Sequence, residues 1–346
     1  MKKVGVCGHF GIGKNLLNGQ TVKTKTITEE LENQLGQDQV LIADTHGGLK
    51  HLPKMTIHTW RLFKQCENII ILPAYKGLLF FVPLCSIFNR IFHRKLHYIV
   101  IGGWLNSYFD NHRVLEKLLN RFDSICVETS AMKKALESRG FRNIFLLPNC
   151  KKLNVLSVES ISEDTGEPRA LCTFSRVMEE KGIGELVRTV ENVNEKLGRT
   201  AYILDIYGMI WDTYKDEFER LKKSFPEYIC YKGTVDFDKS TNVLRDYFAL
   251  IFPTKFYTEG VPGTIIDAYA AGIPVISAKW ESYDDIIDEG HTGIGFPLGD
   301  FDALERLLIE ISEEPDRITS MKENCLKKAE QYSPADVLKR FIETRL

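Results

Sequence analysis

The sequence has 346 residues, of which 44% are hydrophobic and 27% are charged, with a formal net charge of −2 at pH 7. This composition is typical of a soluble globular protein of about two domains, and the charge excludes a whole-protein attraction to nucleic acid. Eight scattered cysteines without a C-x-x-C pair favour buried free thiols over disulfides or a zinc site. We expect no signal peptide and no apolar run near the roughly 20 residues of a membrane span, and hence a cytoplasmic protein.

Short runs rich in Val and Ile recur along the chain, with helical stretches between them. Such runs predict strands buried on both faces, and their alternation with helices predicts parallel sheets. The first half contains six runs, at 4–7, 40–44, 68–72, 98–102, 124–128 and 144–148. The second half contains six more, at 170–174, 202–208, 228–233, 249–254, 274–278 and 293–298. We therefore predict two doubly wound, Rossmann-like α/β domains.

A polar, acidic segment with chain breakers separates the two sets of runs and predicts a linker. Near the end of the chain, Ser333 is a predicted N-cap and Pro334 suits the first position of a final helix. The predicted divisions are an N-terminal domain at 1–158, a linker at 159–169, a C-terminal domain at 170–330 and a last helix within 331–346.

The stretch GHFGIGKN, Gly8 to Asn15, follows the first predicted strand and differs by one residue from the phosphate-binding loop G-x-x-x-x-G-K-[ST]. Asn15 replaces the hydroxyl residue that holds Mg²⁺ in such loops. We favour a loop whose glycines let the backbone approach another ligand, with donors to an anionic group from Gln20, Lys23 and Lys25. The alternative is an NTPase or kinase that uses Lys14.

Two later stretches carry candidate chemistry. In TFSRVMEEKGIGELV, Arg176 and Lys181 follow a predicted strand, and two such cations can hold a diphosphate. In FPTKFYTEGVPGTIIDAYAAGIPVISA, Glu259 lies in a loop before a short helix. The free amides of Gly263 and Thr264 at the start of that helix favour phosphate. Asp267 is expected in its first turn, near the same site.

These motifs resemble the donor-binding domain of family 4 retaining glycosyltransferases, which have the GT-B fold. The family motif E-x7-E, followed by G-x-P-V-I, is matched by Glu259-GVPGTII-Asp267 and AYAAGIPVIS. The family motif G-R-x-x-x-x-K-G is matched by SRVMEEKG, with Arg176 and Lys181 in place. The resemblance covers about 170–300 and reaches the first half through Gly19 and Gln20, at the family's first-loop glycine pair.

The resemblance implies two domains facing each other across a cleft, with the last helix packed back on the first domain. It implies transfer of a hexose, with retention and without metal or other cofactor, from a UDP- or GDP-sugar to a saccharide acceptor. Bacterial capsule, O-antigen or exopolysaccharide synthesis is the implied setting. Arg176 and Lys181 would neutralise the diphosphate, Glu259 would position the sugar and Asp267 would bind the ribose. Further implied donor-binding residues are Gly19, Gln20, Gly208, Val235, Gly260, Gly263 and Thr264.

Two departures from the family pattern concern the same site. Asp267 stands where the family has a second Glu and is shorter by one methylene. The family's His after the fourth strand is absent, and Gly102, Gly103 and Trp104 stand there. We therefore assign His9, Gly103 and Trp104 to the acceptor side. The D-x-D at 236–238 is interpreted as a loop, not a metal site.

Residues 76–95 contain a twelve-residue apolar run bounded by basic residues. This pattern favours either a buried helix or a helix at a membrane surface, beside a polyprenyl-diphosphate-linked acceptor. Two further alternatives to the transferase remain open on the sequence. One is a non-catalytic protein that binds sugar nucleotides or glycans, and the other is an epimerase that acts on the nucleotide sugar alone.

Overall fold

The computed structural model describes residues 1–14, 19–47, 51–162, 166–236 and 239–346. The chain divides into two compact units. The first comprises Met1–Lys152 with Tyr332–Leu346, and the second comprises Leu153–Gln331. Each unit is built on one six-stranded sheet.

The first unit alternates strands and helices along the chain. Its strands are β1 (Lys2–Gly8), β2 (Val40–Asp44), β3 (Cys66–Ile71), β4 (Lys95–Ile99), β5 (Ser124–Val127) and β6 (Ile144–Leu146). Its helices are α1 (Gly19–Leu35), α2 (Leu52–Gln65), α3 (Tyr75–Phe92), α4 (Leu105–Tyr108), α5 (Arg113–Leu119) and α6 (Ser130–Ser138). The strands pair in parallel in the order β2-β1-β3-β4-β5-β6.

The second unit repeats this plan. Its strands are β7 (Arg169–Phe174), β8 (Tyr202–Tyr207), β9 (Ile229–Gly233), β10 (Ala249–Phe252), β11 (Val275–Lys279) and β12 (Gly293–Pro297). Its helices are α7 (Ile183–Leu197), α8 (Lys215–Lys222), α9 (Ser240–Leu244), α10 (Gly263–Ala270), α11 (Phe301–Glu313), α12 (Asp316–Thr319) and α13 (Lys322–Glu330). The order β12-β11-β10-β7-β8-β9 is again parallel throughout.

The apolar runs of the sequence become these strands. Consecutive residues Ile69, Ile70 and Ile71 of β3 are all fully buried, because helices cover both faces of the sheet. Each of the twelve predicted runs overlaps one strand, and the predicted pair of doubly wound sheets is confirmed. The carboxyl ends of parallel strands share one edge of each sheet, which is where ligands of such sheets bind.

The units divide earlier in the chain than the predicted end at 158. The Leu156 N–H donates to the Ala270 carbonyl oxygen at 2.9 Å, which ties this stretch to the second unit. Part of the predicted linker, 163–165, lies outside the described residues, and its last residue, Arg169, already begins β7.

The last helix, α14 (Pro334–Arg345), belongs by its contacts to the first unit. The Ser333 hydroxyl accepts a hydrogen bond from the Asp336 N–H at 3.2 Å, the predicted N-cap. Leu338 and Phe341 are buried in a cluster that includes Val4 of β1. The end of the chain is therefore part of the first core.

Two features differ from the sequence predictions. Among the described residues, α3 is a helix long and apolar enough by length and composition to cross a membrane, because it continues beyond the apolar run to Phe92. Its Leu78 and Val82 pack in the first core, so one face is that of a core helix. All eight cysteines are free, but Cys230 is exposed because β9 is an edge strand.

Candidate active site

Lys181 and Glu259 form an ion pair at the carboxyl edge of the second sheet. Lys181 follows β7, and Glu259 lies in the loop after β10, the neighbouring strand. Lys181 is only 8% exposed, so water screens its charge weakly. The structure thus joins in one contact two residues that the sequence analysis assigned to the diphosphate and to the sugar.

Thr254 fixes the carboxylate of this pair. Its hydroxyl donates to Glu259 Oε1 at 2.8 Å and accepts from the Phe256 N–H at 3.2 Å. The Lys181 ammonium lies 5.4 and 5.2 Å from the ring centroids of Phe252 and Phe256. Two aromatic faces therefore favour the cation that the carboxylate pairs with.

Gly182 allows the loop after β7 to approach the loop after β10 closely. Its φ is 67°, and a Cβ there would lie 2.2 Å from the Pro253 carbonyl oxygen. Only glycine fits both this left-handed conformation and this close approach. α7 starts directly after it, so Lys181 is held between a strand end and a helix start.

Arg176 is exposed at the end of β7, and its guanidinium lies 5.2 Å from the Trp211 ring centroid. Gly208 lies beside this loop, and a Cβ there would be 1.6 Å from the Ser175 carbonyl oxygen. Close approach of two backbone segments thus requires Gly208. Val235, half-buried, lies in the loop after β9.

α10 begins at Gly263, with open space where a Cβ would stand. The Thr264 hydroxyl oxygen is buried and has no hydrogen-bond partner among the described residues. An unsatisfied buried hydroxyl at a helix start suits a polar ligand. Asp267 is buried and is the fifth residue of α10, so the prediction that it lies in the first turn is wrong. Gly260 is buried just before this helix.

In the first unit, the side chain of Asp44, the last residue of β2, binds the glycine-rich loop after β1. Its carboxylate accepts the N–H groups of Phe10, Gly11 and Ile12 at 3.0, 3.2 and 2.9 Å, and that of His46 at 2.9 Å. Burial raises the pKa of Asp44, but these four backbone hydrogen bonds lower it overall. A phosphate loop would direct such amides at its ligand, whereas here a carboxylate of the chain takes them. Asn15 lies outside the described residues.

Two of the three residues predicted to donate to an anion from this region are engaged elsewhere. Lys23 is buried in an ion pair with Glu128 and donates to the Val100 carbonyl oxygen at 3.1 Å, so its prediction is wrong. The Gln20 amide donates to the Leu72 carbonyl oxygen at 3.2 Å, which holds the end of β3. Lys25 is exposed, as is Gly19 at the start of α1.

The acceptor-side candidates lie at the carboxyl edge of the first sheet. His9 Nδ1 is 2.7 Å from Thr21 Oγ1, and His9 Nε2 is 3.0 Å from His46 Nδ1. Burial, and then the charge of His46, lower the pKa of His9, which favours a neutral ring. Gly103 is buried, and the half-buried Trp104 donates from Nε1 to the Ile101 carbonyl oxygen at 2.7 Å.

The described residues contain no cluster of metal-ligand side chains. Within the parts of the chain that the structure describes, no group of three or more His, Cys, Asp or Glu could hold a metal ion. Asp236 is exposed and pairs with Lys239, and Asp238 lies outside the described residues.

Known glycosyltransferases are similar in sequence to the second unit. Residues 168–314 match the family model of "Glycosyl transferases group 1". An uncharacterized glycosyltransferase of Methanocaldococcus jannaschii is 21% identical over 217 residues, 60% of this chain and 54% of that protein. The amylovoran biosynthesis glycosyltransferase AmsK of Erwinia amylovora is 25% identical over 157 residues, 42% of this chain and 37% of that protein. The matches therefore span about half or less of these curated relatives, and the similarity to group 1 glycosyltransferases lies mainly in the second unit.

Solved structures resemble the chain over nearly its whole length. HepE of Anabaena has been solved with UDP and glucose and also with UDP-glucose. The complex with UDP and glucose has a TM-score of 0.76 and is 16% identical in sequence, and the match covers 99% of each chain. Sucrose-phosphate synthase of Thermosynechococcus elongatus has a TM-score of 0.77 and 14% identity, covering 100% of this chain and 98% of that one. The predicted fold class, two Rossmann-like units of the GT-B type, is confirmed.

Sequence reasoning missed three contributors to these sites. Thr254 directly follows β10 and Pro253, so its place at a strand end was the available signal. Asp44 ends β2 and was equally visible. The exposed Tyr75 starts α3 beside Trp104, and no motif pointed to it.

Proposed function

We propose that this protein is a retaining, metal-independent glycosyltransferase that moves a hexose from a nucleoside-diphosphate sugar to a saccharide acceptor. The observation that carries the proposal is the weakly exposed Lys181–Glu259 pair, held by Thr254, inside the region that matches the group 1 glycosyltransferase model. The unsatisfied Thr264 hydroxyl supports a polar ligand beside the start of α10.

In the proposed reaction, Lys181 and Arg176 stabilise the charge that develops on the departing nucleoside diphosphate. The Lys181 ammonium has three N–H donors, so it can hold the Glu259 carboxylate and a phosphate oxygen together. Glu259 is then positioned to contact hydroxyls of the donor sugar. The Thr264 hydroxyl and the free N–H groups at the start of α10 bind phosphate or sugar oxygens.

Asp267 is proposed to bind the ribose hydroxyls, and the transfer itself needs no further group from the protein. The acceptor hydroxyl gives its proton to the leaving phosphate, and the new glycosidic bond forms on the face the nucleotide leaves, so the anomeric configuration is retained. UDP is the favoured nucleotide, because the HepE structures contain UDP and UDP-glucose. The likeness to an amylovoran biosynthesis enzyme supports a role in surface polysaccharide synthesis.

Thermal unfolding with nucleotides tests this proposal. A ligand at about 100 times its Kd stabilises the native state by about 2.7 kcal/mol, so UDP or GDP should raise the melting temperature measurably. We expect the shift to persist in EDTA and to vanish in Lys181→Ala. A shift that needs ATP and Mg²⁺, and is lost in Lys14→Ala, would instead support an NTPase.

We further propose that the acceptor is lipid-linked and that helices α2 and α3 rest on an anionic membrane. On α3, exposed Leu79, Ile87 and Ile91 share one face because their spacings are multiples of four. Trp60 of α2 is exposed beside them, and its ring packs edge-on against Phe88 of α3 at 5.0 Å. We call this the α2–α3 surface.

Charge supports the same proposal. Neither helix contains Asp or Glu. Their exposed basic residues are Lys54, Arg61, Lys64, Lys76 and Arg90. A basic residue close to an anionic leaflet contributes about 1 kcal/mol of attraction, and apolar side chains add burial in the interface.

Vesicle flotation tests the membrane contact. We expect the protein to float with phosphatidylglycerol vesicles, less so at high salt, and not with phosphatidylcholine alone. Leu79→Ser, Ile87→Ser and Ile91→Ser combined should abolish flotation without unfolding, because all three are exposed. The matched control combines Val155→Ser and Val158→Ser, which are exposed elsewhere. Equal flotation of the triple variant and wild type would contradict the proposal.

A further inference from the structure

A cluster of aromatic rings lies at the carboxyl edge of the first sheet. The ring centroids of Tyr75 and Trp104 are 5.4 Å apart, those of Tyr75 and Tyr108 are 4.6 Å apart, and those of Trp104 and Tyr108 are 5.2 Å apart. Tyr108 is buried, whereas Tyr75 is 53% exposed. We call these three residues the aromatic platform. It presents the Tyr75 ring to solvent on a base of two other rings.

Two hydrogen bonds and one ring stack hold the aromatic platform in place. The Tyr108 hydroxyl donates to the Tyr75 carbonyl oxygen at 3.1 Å, and the Trp104 indole is tied to the Ile101 carbonyl oxygen at 2.7 Å. The His112 ring stacks on Tyr108 with centroids 3.9 Å apart. An exposed ring on such a base loses little conformational entropy when it binds a ligand.

The sheet order places the platform among the acceptor-side candidates. His9 follows β1, Tyr75 follows β3 and Trp104 follows β4, and these strands are adjacent in the order β1-β3-β4. Because the carboxyl ends of parallel strands share an edge, all three residues lie at one edge of the sheet. Tyr75 follows the strand between the other two.

We propose that Tyr75, supported by Trp104 and Tyr108, stacks on a pyranose ring of the saccharide acceptor. A pyranose has a face of C–H groups, which suits the exposed face of an aromatic ring. That this sugar belongs to the acceptor rests on the proposed function. Tyr75 is the first residue of α3, and later turns of the same helix carry the α2–α3 surface. One helix would then contact both the sugar and the lipid tail of the acceptor.

Ligand-observed saturation-transfer NMR on the full chain tests the platform. The probes are methyl glucoside, methyl galactoside and methyl N-acetylglucosaminide, which carry no tail that could insert at the α2–α3 surface. Tyr75→Phe keeps the ring and should keep binding. Tyr75→Leu keeps an apolar side chain without a flat face and should weaken binding about tenfold, as should Tyr75→Ala, a loss of about 1.4 kcal/mol.

Isothermal titration with UDP on the wild type separates this proposal from the proposed function. If the chain binds UDP but none of the methyl glycosides, or if Tyr75→Leu binds them as Tyr75→Phe does, the platform is overturned. If the chain binds a glycoside through Tyr75 but does not bind UDP, the platform stands and the proposed function fails.

Discussion

Replacing Thr254 by Val removes one hydroxyl from the candidate site and leaves the buried shape almost unchanged. Thr254 is 1% exposed, and its hydroxyl lies 2.8 Å from Glu259 Oε1. A hydrogen bond to a charged group contributes about 1.5–3 kcal/mol. Because Lys181 still holds the same carboxylate, we expect the lower half of that range, a fall in kcat of about 10- to 50-fold.

The assay is steady-state release of UDP from UDP-glucose, with UDP affinity measured separately by calorimetry. Thr254→Val should lower kcat while the Kd for UDP changes less than about threefold, because Arg176 and Lys181 would keep the phosphate contacts proposed for them. Thr254→Ser retains the hydroxyl and should stay within about threefold of the wild-type kcat.

The decisive test is a double-mutant cycle. In a Glu259→Ala background the hydroxyl has no carboxylate to position, so Thr254→Val should have little further effect. If Thr254→Val and Thr254→Ser have equal kcat, or if Thr254→Val costs the same factor with and without Glu259, then Thr254 does not act through the carboxylate.

Three other changes have defined outcomes. Gly182→Ala places a Cβ 2.2 Å from the Pro253 carbonyl oxygen, so it should separate the two loops and reduce UDP affinity at least tenfold by calorimetry, whereas Gly198→Ala, at an open helix end, should not. Asp44→Asn weakens the carboxylate's four backbone hydrogen bonds and should lower the free energy of unfolding by about 2 kcal/mol in urea; an unchanged midpoint would contradict the role of Asp44. Burial, assisted by the charges of Lys95 and Arg345, lowers the pKa of His97 from 6.5 to about 3. Between these pH values the unfolded chain therefore binds a proton at His97 that the folded chain does not bind. The free energy of unfolding should fall as pH drops from 6.5 toward 3, by up to about 1.4 kcal/mol per pH unit. His97→Gln, which cannot titrate, should flatten that slope, and parallel pH curves would refute it.

Much of the fold could be predicted because its signals are local. Runs such as VLIAD and NIIIL allow little but buried strands, and the glycines, prolines and polar segments between them mark where strands end. The Ser333 N-cap is equally local, since a hydroxyl and the N–H three residues later need no tertiary partner. Candidate residues near strand ends follow from the same reasoning, because parallel sheets bind ligands at that edge.

The partners of the candidate residues could not be predicted, because they are distant in sequence. Lys181 and Glu259 meet only because β7 and β10 are neighbours in the second sheet. Lys23, expected to face a ligand, is instead buried against Glu128, and no local pattern distinguishes an exposed lysine from one whose partner arrives from another strand. Helical periodicity alone gave no sign of that burial.

The sequence by itself determined the two parallel sheets, the edge of each sheet where chemistry can occur, and the residue types available there. Only the tertiary structure decided which of those residues have their hydrogen-bonding and charge already satisfied within the protein. Asp44 takes the amides of the glycine-rich loop, whereas Thr264 keeps a buried hydroxyl without a partner among the described residues. Buried polar groups must be satisfied, so this distinction depends on side chains that fold together from distant parts of the chain.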